Sequence, residues 1–234
     1  MRIGILQAGH TPDAQRPAHG DYDAMFERLL GGRGFRFAAW DVEHMAFPDG
    51  PEECDGWLVT GSRHGTYEDH PFIPPLEAFI RSAVDADRPV VGICFGHQIV
   101  AQALGGRVEK VERGWSVGRR RYDAPGGPLA LNAWHQDQVV ALPEGAEVVA
   151  SSDFCPAAVL AYGRRAWTVQ PHPEFSDALI AAMVAARRGT GTYPDAMMDQ
   201  AARDAAAGPP PDAPRVADAI ARFLRTRDAL HALR

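Results

Sequence analysis

In Arg88-Pro89-Val90-Val91-Gly92-Ile93-Cys94-Phe95-Gly96-His97-Gln98-Ile99-Val100-Ala101-Gln102-Ala103-Leu104-Gly105-Gly106, an apolar β-branched run passes through one cysteine into a helical pattern. Val90 to Ile93 is the signal of a buried parallel strand. Phe95 to Leu104 reads as a helix, closed by Gly105 and Gly106. Cys94 stands at the junction, with Gly92 before it and Gly96 after it. G-x-C-x-G in this context is the thiol form of a nucleophile elbow, a sharp strand-to-helix turn that lifts a side chain above the sheet. Glycines are needed where strand and helix approach too closely for a Cβ atom. The thiol also faces the positive end of the helix dipole. An isolated cysteine is more often an inert core residue; the glycines and the strand–helix context favour a nucleophile here, which requires a base elsewhere in the chain.

Outward from this stretch, the pattern alternates. Ile3 to Gln7 reads as a strand, followed by a loop from Ala8 to Gly20 and a helix with Tyr22, Met25, Phe26, Leu29 and Leu30 on one face. Phe35 to Val42 and Gly56 to Thr60 read as two further strands. After a loop, Phe72, Leu76, Phe79, Ile80, Ala83 and Val84 form a helical stripe. Strands alternating with amphipathic helices predict an α/β fold with a doubly wound, mostly parallel central sheet. From Arg107 to Pro171 short strand-like runs are broken by turn residues, which predicts an antiparallel extension, either appended to the sheet or continuing it. Helices are expected over Asp177 to Arg188 and Thr192 to Ala207. A Pro-rich hinge at 208–214 then leads to a final docking helix with Val216, Ile220, Phe223 and Leu224. The whole of 1–234 reads as one domain.

Composition narrows the function classes. The 234 residues carry a net charge of −6, 46% hydrophobic and 23% charged residues, which suits a globular chain and argues against nucleic-acid or anionic-membrane partners. Three scattered cysteines make no disulfide framework and point to a reducing, cytoplasmic setting. Met1-Arg2 leads directly into an apolar strand, so no signal peptide is expected, and no run has the length of a membrane span.

The base is found in Gln170-Pro171-His172-Pro173-Glu174-Phe175. Each proline pushes the residue before it into extended conformation, and residues two apart in extended chain point the same way. Glu174 can therefore orient the His172 imidazole. Cysteine, histidine and carboxylate are the parts for nucleophilic attack on an acyl carbon. The remaining histidines fit no zinc spacing such as H-E-x-x-H, so no metal is expected, nor any cofactor. Cys54 and Cys155 lack an elbow and read as structural.

These segments, with Leu58-Val59-Thr60-Gly61-Ser62, Gly105-Gly106, Trp134-His135-Gln136-Asp137 and Leu142-Pro143, resemble the class I glutamine amidotransferase family over nearly the whole chain. The similarity is greatest to the glutaminase part of GMP synthetase and to the cytosolic γ-glutamyl peptidases. The resemblance implies a flavodoxin-like fold and a catalytic set of Cys94 as nucleophile, His172 as base and acid, and Glu174 as orienter. It implies an oxyanion hole from the Phe95 N–H and from the loop at Gly61-Ser62, where Ser62 replaces a glycine common in the family. It further implies substrate contacts at Gln98 and along Trp134, His135 and Gln136. The reaction implied is hydrolysis of glutamine through a glutamyl thioester. A γ-glutamyl peptidase with a larger leaving amine, and a glutaminase subunit that docks onto a separate synthetase, remain open. No Walker-type loop is present for ATP-driven chemistry. The loops Ala8–Gly20 and Arg63–Pro75 follow strands at their carboxyl ends, where open α/β sheets bind ligands.

Overall fold

The computed structural model describes residues 1–233. The elements in order are β1 (Arg2–Leu6), α1 (Arg16–His19), α2 (Tyr22–Leu29), β2 (Arg36–Trp40), β3 (Gly56–Val59), α3 (Ile73–Asp85), β4 (Val90–Ile93) and α4 (Phe95–Ala103). The second half holds β5 (Arg107–Lys110), β6 (Ser116–Tyr122), β7 (Leu129–His135), β8 (Asp137–Ala141), β9 (Glu147–Ala150), β10 (Val159–Ala161), β11 (Ala166–Val169), α5 (Asp177–Arg187), α6 (Asp195–Ala207) and α7 (Ala213–Thr226).

The central sheet has 7 strands in the order β2-β1-β3-β4-β11-β10-β9. β2 through β11 run parallel, and β10 and β9 complete the sheet antiparallel. The antiparallel extension takes two forms: β9 and β10 continue the sheet, whereas β5 pairs with β8 and β6 with β7 as separate ribbons. The second strand ends at Trp40, short of the expected Val42. There the Asp41 side chain accepts the His44 N–H at 3.2 Å and turns the chain into a 3-10 turn. The helix expected from Thr192 begins at Asp195, just after Pro194.

The sheet is buried on both faces, as a parallel sheet requires. On one face α7 lays Val216, Ala217, Ile220, Phe223 and Leu224 into the cluster that holds Ile3, Ile5, Leu58 and Val91. On the other, α3 and α4 pack Leu76, Phe79, Ile80, Ile99 and Val100 around Trp57 and Val59. Burying each such large apolar side chain contributes about 1.5–3 kcal/mol, so α7 is part of the core that supports the sheet.

The elbow between β4 and α4 depends on two close approaches. A Cβ on Gly92 would lie 2.3 Å from the Gly96 carbonyl oxygen, and one on Gly96 would lie 2.1 Å from the carbonyl oxygen of Val59. Backbone cannot yield as a flexible side chain can. Gly96→Ala is therefore expected to destabilise the fold by about 3 kcal/mol or more, read as a fall in the urea midpoint. A midpoint equal to the parent's would show that helix and strand have room to separate.

Candidate active site

The elbow holds Cys94 at φ 54° and ψ −104°, a left-handed conformation that a non-glycine residue keeps only when its surroundings impose it. Two contacts impose it. The Cys94 N–H donates to the Val169 carbonyl at 2.9 Å, and the Gly96 N–H donates to the Thr60 carbonyl at 3.0 Å. β4 and β11 are neighbours in register, Ile93 opposite Val169, so the chain leaving β11 brings His172 beside Cys94.

His172 is buried, with Glu174 hydrogen-bonded to it and Cys94 beside it. Its Nδ1–H donates to Glu174 Oε1 at 2.7 Å, and Cys94 and Glu174 both favour its charged form. Phe175 stacks on the ring at 3.9 Å between centroids and 9° between planes. The His172 N–H donates to the Asn132 carbonyl at 2.8 Å, while the Asn132 side chain donates to the Phe175 carbonyl at 2.9 Å. β7 thus fixes the segment that carries base and orienter. Burial alone would push the imidazole toward its neutral form. Cys94 and then Glu174, each through charge and hydrogen bonding, outweigh that and raise its pKa from 6.5 to about 10. A raised value stabilises the folded chain fully below about pH 6.5 and less as pH climbs toward about 10. The stability gap between the parent and His172→Ala is expected to narrow over that window in urea titrations. A gap that widens with pH would contradict the ion pair.

The oxyanion loop lies against the same imidazole. A Cβ on Gly61 would sit 3.0 Å from His172 Cε1 and 3.8 Å from Cys94 Cβ. Phe95 is the first residue of α4, where backbone N–H groups have no intrahelical acceptor; its ring is buried beside Phe72. The loop is pinned from beneath. Thr60 Oγ1 accepts the Ala8 N–H and donates to the Gly61 carbonyl, both at 3.0 Å. Gly9 backs Ser62 so closely that a Cβ on it would lie 2.7 Å from Ser62 Cα.

Cys94, His172, Ser62, Gln98, Trp134, His135 and Gln136 line one cleft of about 440 Å³. Glu174 lies behind the imidazole with its side chain fully buried. Gln98 donates to the Asp137 carbonyl at 2.8 Å and to Gln170 at 3.1 Å, so its NH₂ group is already committed to holding the β7–β8 turn. Burial and the nearby His172 lower His135 to about 3, keeping it neutral. The His97 side chain does not reach the cleft: burial lowers it to about 3, and its Nδ1 lies 2.8 Å from Thr168 Oγ1. Both rim loops contribute, through His10 and Pro12 and through Arg63, His64, Tyr67 and Glu68.

Sequence reasoning missed the far wall. Trp115, Tyr193, Met183 and Arg187 complete the cleft. Trp134 Nε1–H donates to the Tyr193 hydroxyl at 3.1 Å, and the Arg187 guanidinium lies 5.3 Å from the Trp134 ring centroid. Tyr22 also faces the site; burial, Glu174 and Cys94 raise its hydroxyl, which stays protonated. Gly9 carried no signal apart from its place after a strand.

Residues 36–184 match the family model for class-I glutamine amidotransferases. The chain belongs to that family. A glutamine amidotransferase-like protein of Schizosaccharomyces pombe is 29% identical, the alignment spanning 95% of this chain and 98% of the relative. Gamma-glutamyl peptidase 5 of Arabidopsis thaliana is 31% identical over 76% of this chain and 78% of its own length. The crystal structure of a glutamine amido transferase from Methylobacillus flagellatus superposes with a TM-score of 0.75 at 21% identity, covering 100% of this chain and 95% of that one. The class-I amidotransferase fold therefore extends over the full length described here. Among the described residues no helix is long and apolar enough to cross a membrane.

Proposed function

We propose that this amidotransferase-family protein hydrolyses γ-glutamyl amides by cysteine nucleophilic catalysis, with glutamine as its first substrate and no partner required. The observation that carries the reading is the placement of Cys94 and His172 at the wall of one cleft, with Glu174 hydrogen-bonded to the imidazole at 2.7 Å from behind. The Cys94 thiolate attacks the γ-carbonyl carbon, and the oxyanion forms against the Phe95 N–H and the Gly61-Ser62 loop. The C–N bond breaks as His172 gives its proton to the leaving nitrogen, leaving a glutamyl thioester. His172 then takes a proton from water, whose oxygen attacks the thioester; the C–S bond breaks, glutamate leaves, and the thiolate and protonated His172 are restored. Gln98 and the Trp134–Gln136 segment border the amino-acid end of the substrate. No cofactor enters this scheme.

A second reading, a γ-glutamyl peptidase with an amine larger than ammonia as leaving group, is favoured by the aromatic far wall and by the similarity to γ-glutamyl peptidase 5. The reading as a subunit that waits for a synthetase finds less support. The oxyanion loop is pinned to Ala8, Gly9 and α4 within the chain itself. We take 1–234 as one catalytic domain. We place it in the cytoplasm, in keeping with three free, buried cysteines.

The test is product analysis with the purified chain alone. Glutamine and a set of γ-glutamyl peptides are incubated with it, and glutamate, ammonia and released amine are quantified. Glutamate release from at least one of them is expected. Ammonia as co-product selects the first reading, and preference for a peptide selects the second. No release without an added synthetase would favour the subunit reading.

A further inference from the structure

The strand order β2-β1-β3 reverses direction at β1, which makes the carboxyl ends of β1 and β3 the switch point of the sheet. Cys94 and His172 lie to one side, after β4 and β11. A second group of reactive side chains sits on the other side of β1, at the carboxyl ends of β1 and β2. His10 follows β1, and Asp41, Glu43 and His44 follow β2. Asp41 Oδ2 lies 3.2 Å from His10 Nε2 and 2.9 Å from His44 Nδ1, and Glu43 Oε2 lies 3.7 Å from His10 Nε2. The ligand atoms of His10, Asp41 and His44 are all within 4.8 Å of one another.

The orientation of His10 distinguishes this group from a chance set of ion pairs. Asp21 Oδ2 accepts from its Nδ1 at 2.6 Å, and Asp21 Oδ1 is held by the N–H groups of Thr11 and Tyr22 at 2.8 and 2.9 Å. Gln7 Nε2 lies 2.7 Å from the same Nδ1, so that nitrogen is held from two sides, and Nε2, buried and outside hydrogen-bond geometry, is turned toward Asp41 and Glu43. Two carboxylates facing one buried ring nitrogen form a pocket that a cation neutralises, whether a proton on that nitrogen or a metal ion shared by the three groups. A carboxylate that fixes one imidazole nitrogen so that the other can bind metal is a recurrent arrangement. Metal–ligand bonds of about 2.0–2.1 Å in a tetrahedron separate the ligand atoms by about 3.3 Å. The 3.2 and 2.9 Å edges, which share Asp41 Oδ2, are close to this spacing.

We infer that His10, Asp41 and His44, with Glu43 beside them, form a divalent cation site of the zinc class at the mouth of the cleft. Two imidazoles and a carboxylate suit Zn²⁺ better than Mg²⁺ or Ca²⁺. The ion would tie the loop after β1 to the connection after β2. Glu43 Oε1 extends that tie to His64 Nε2 at 3.0 Å, two residues beyond the oxyanion loop. Linear spacing predicted no metal because the ligands come from two separate segments that meet only when β1 and β2 pair.

The test uses the full chain carrying Cys94→Ala, so that the catalytic thiol cannot hold the ion. Metal is stripped with a chelator, buffered Zn²⁺ is added back, and bound zinc is counted by mass spectrometry. Co²⁺ is substituted in parallel and its visible d–d bands are recorded. His44 is largely exposed, so adding His44→Ala leaves the metal-free melting midpoint unchanged. It is expected to remove one equivalent of zinc and the tetrahedral cobalt bands, as is Asp41→Asn. Any ion at the neighbouring His64, Glu68 and His70 group would survive both changes. No zinc bound at micromolar free metal, or the same stoichiometry with and without His44→Ala, overturns the site and leaves His10 as an ion-paired imidazolium.

Discussion

Cys94→Ala is expected to reduce γ-glutamyl amide hydrolysis to the uncatalysed background, a loss of at least ~10⁴-fold, while the fold and melting midpoint persist. The change removes one sulfur from a site whose φ of 54° alanine must adopt as cysteine does, so the backbone strain is common to both. An electrophilic glutamine analogue should label Cys94 and spare the other two thiols. Burial pushes Cys155 up to about 12 and raises Cys54 as well, so both stay protonated at neutral pH. Steady-state assays and peptide mapping of the labelled protein check both halves. A labelled Cys54 or Cys155 together with an active Cys94→Ala protein would remove the nucleophile from the mechanism.

His172 carries the second large effect. Its loss takes away both the thiolate's partner and the proton delivered to the leaving nitrogen, so His172→Ala should lower kcat/KM by ~10²–10⁴-fold or more. Glu174→Gln should cost less, on the order of 10–10²-fold. In a Ser-His-Asp triad the carboxylate also fixes the neutral imidazole's tautomer, and its amide replacement is severe. Here the raised His172 pKa keeps both ring nitrogens protonated in the resting enzyme. Glu174→Gln then removes charge and orientation, and Phe175 stacked on the ring still holds its plane. Measuring kcat/KM for both variants decides the point. An equal loss in the two would assign Glu174 a direct part in proton transfer.

The features legible in the sequence are those governed by local geometry. Gly92 and Gly96 announce the elbow because α4 backbone crowds the first and β3 backbone the second, a constraint that leaves its mark within five residues. His172 and Glu174 are legible because proline spacing forces an extended chain and i, i+2 alignment. The parallel sheet follows from continuous apolar runs such as Trp57 to Val59 and Val90 to Ile93, buried on both faces. The far wall of the cleft follows from no such rule. Trp115 precedes β6, Arg187 ends α5 and Tyr193 lies between α5 and α6. Their meeting with Trp134 depends on how a two-stranded ribbon packs against two helices, which no short-range pattern encodes. The rim histidines were passed over for the same reason: His10 and His44 become neighbours only through the β1–β2 pairing.

The division within the antiparallel region was equally out of reach. Short alternating runs from Arg107 onward state that strands form, yet partner choice depends on long-range packing. β5 crosses to β8, β6 pairs with β7, and β9 and β10 join the central sheet beside β11. This arrangement has a consequence for the site: β7 delivers Asn132 to the His172 segment and ends in the Trp134–His135 wall.

The measurement that bears most directly on a Cys94 glutamyl thioester is acid-quench mass spectrometry of the unaided chain during turnover of glutamine or a γ-glutamyl peptide. One glutamyl group is expected on the peptide containing Cys94, discharged as γ-glutamyl hydroxamate when hydroxylamine is added before the quench. Turnover with unmodified Cys94, or a glutamyl group on any other residue, would contradict it.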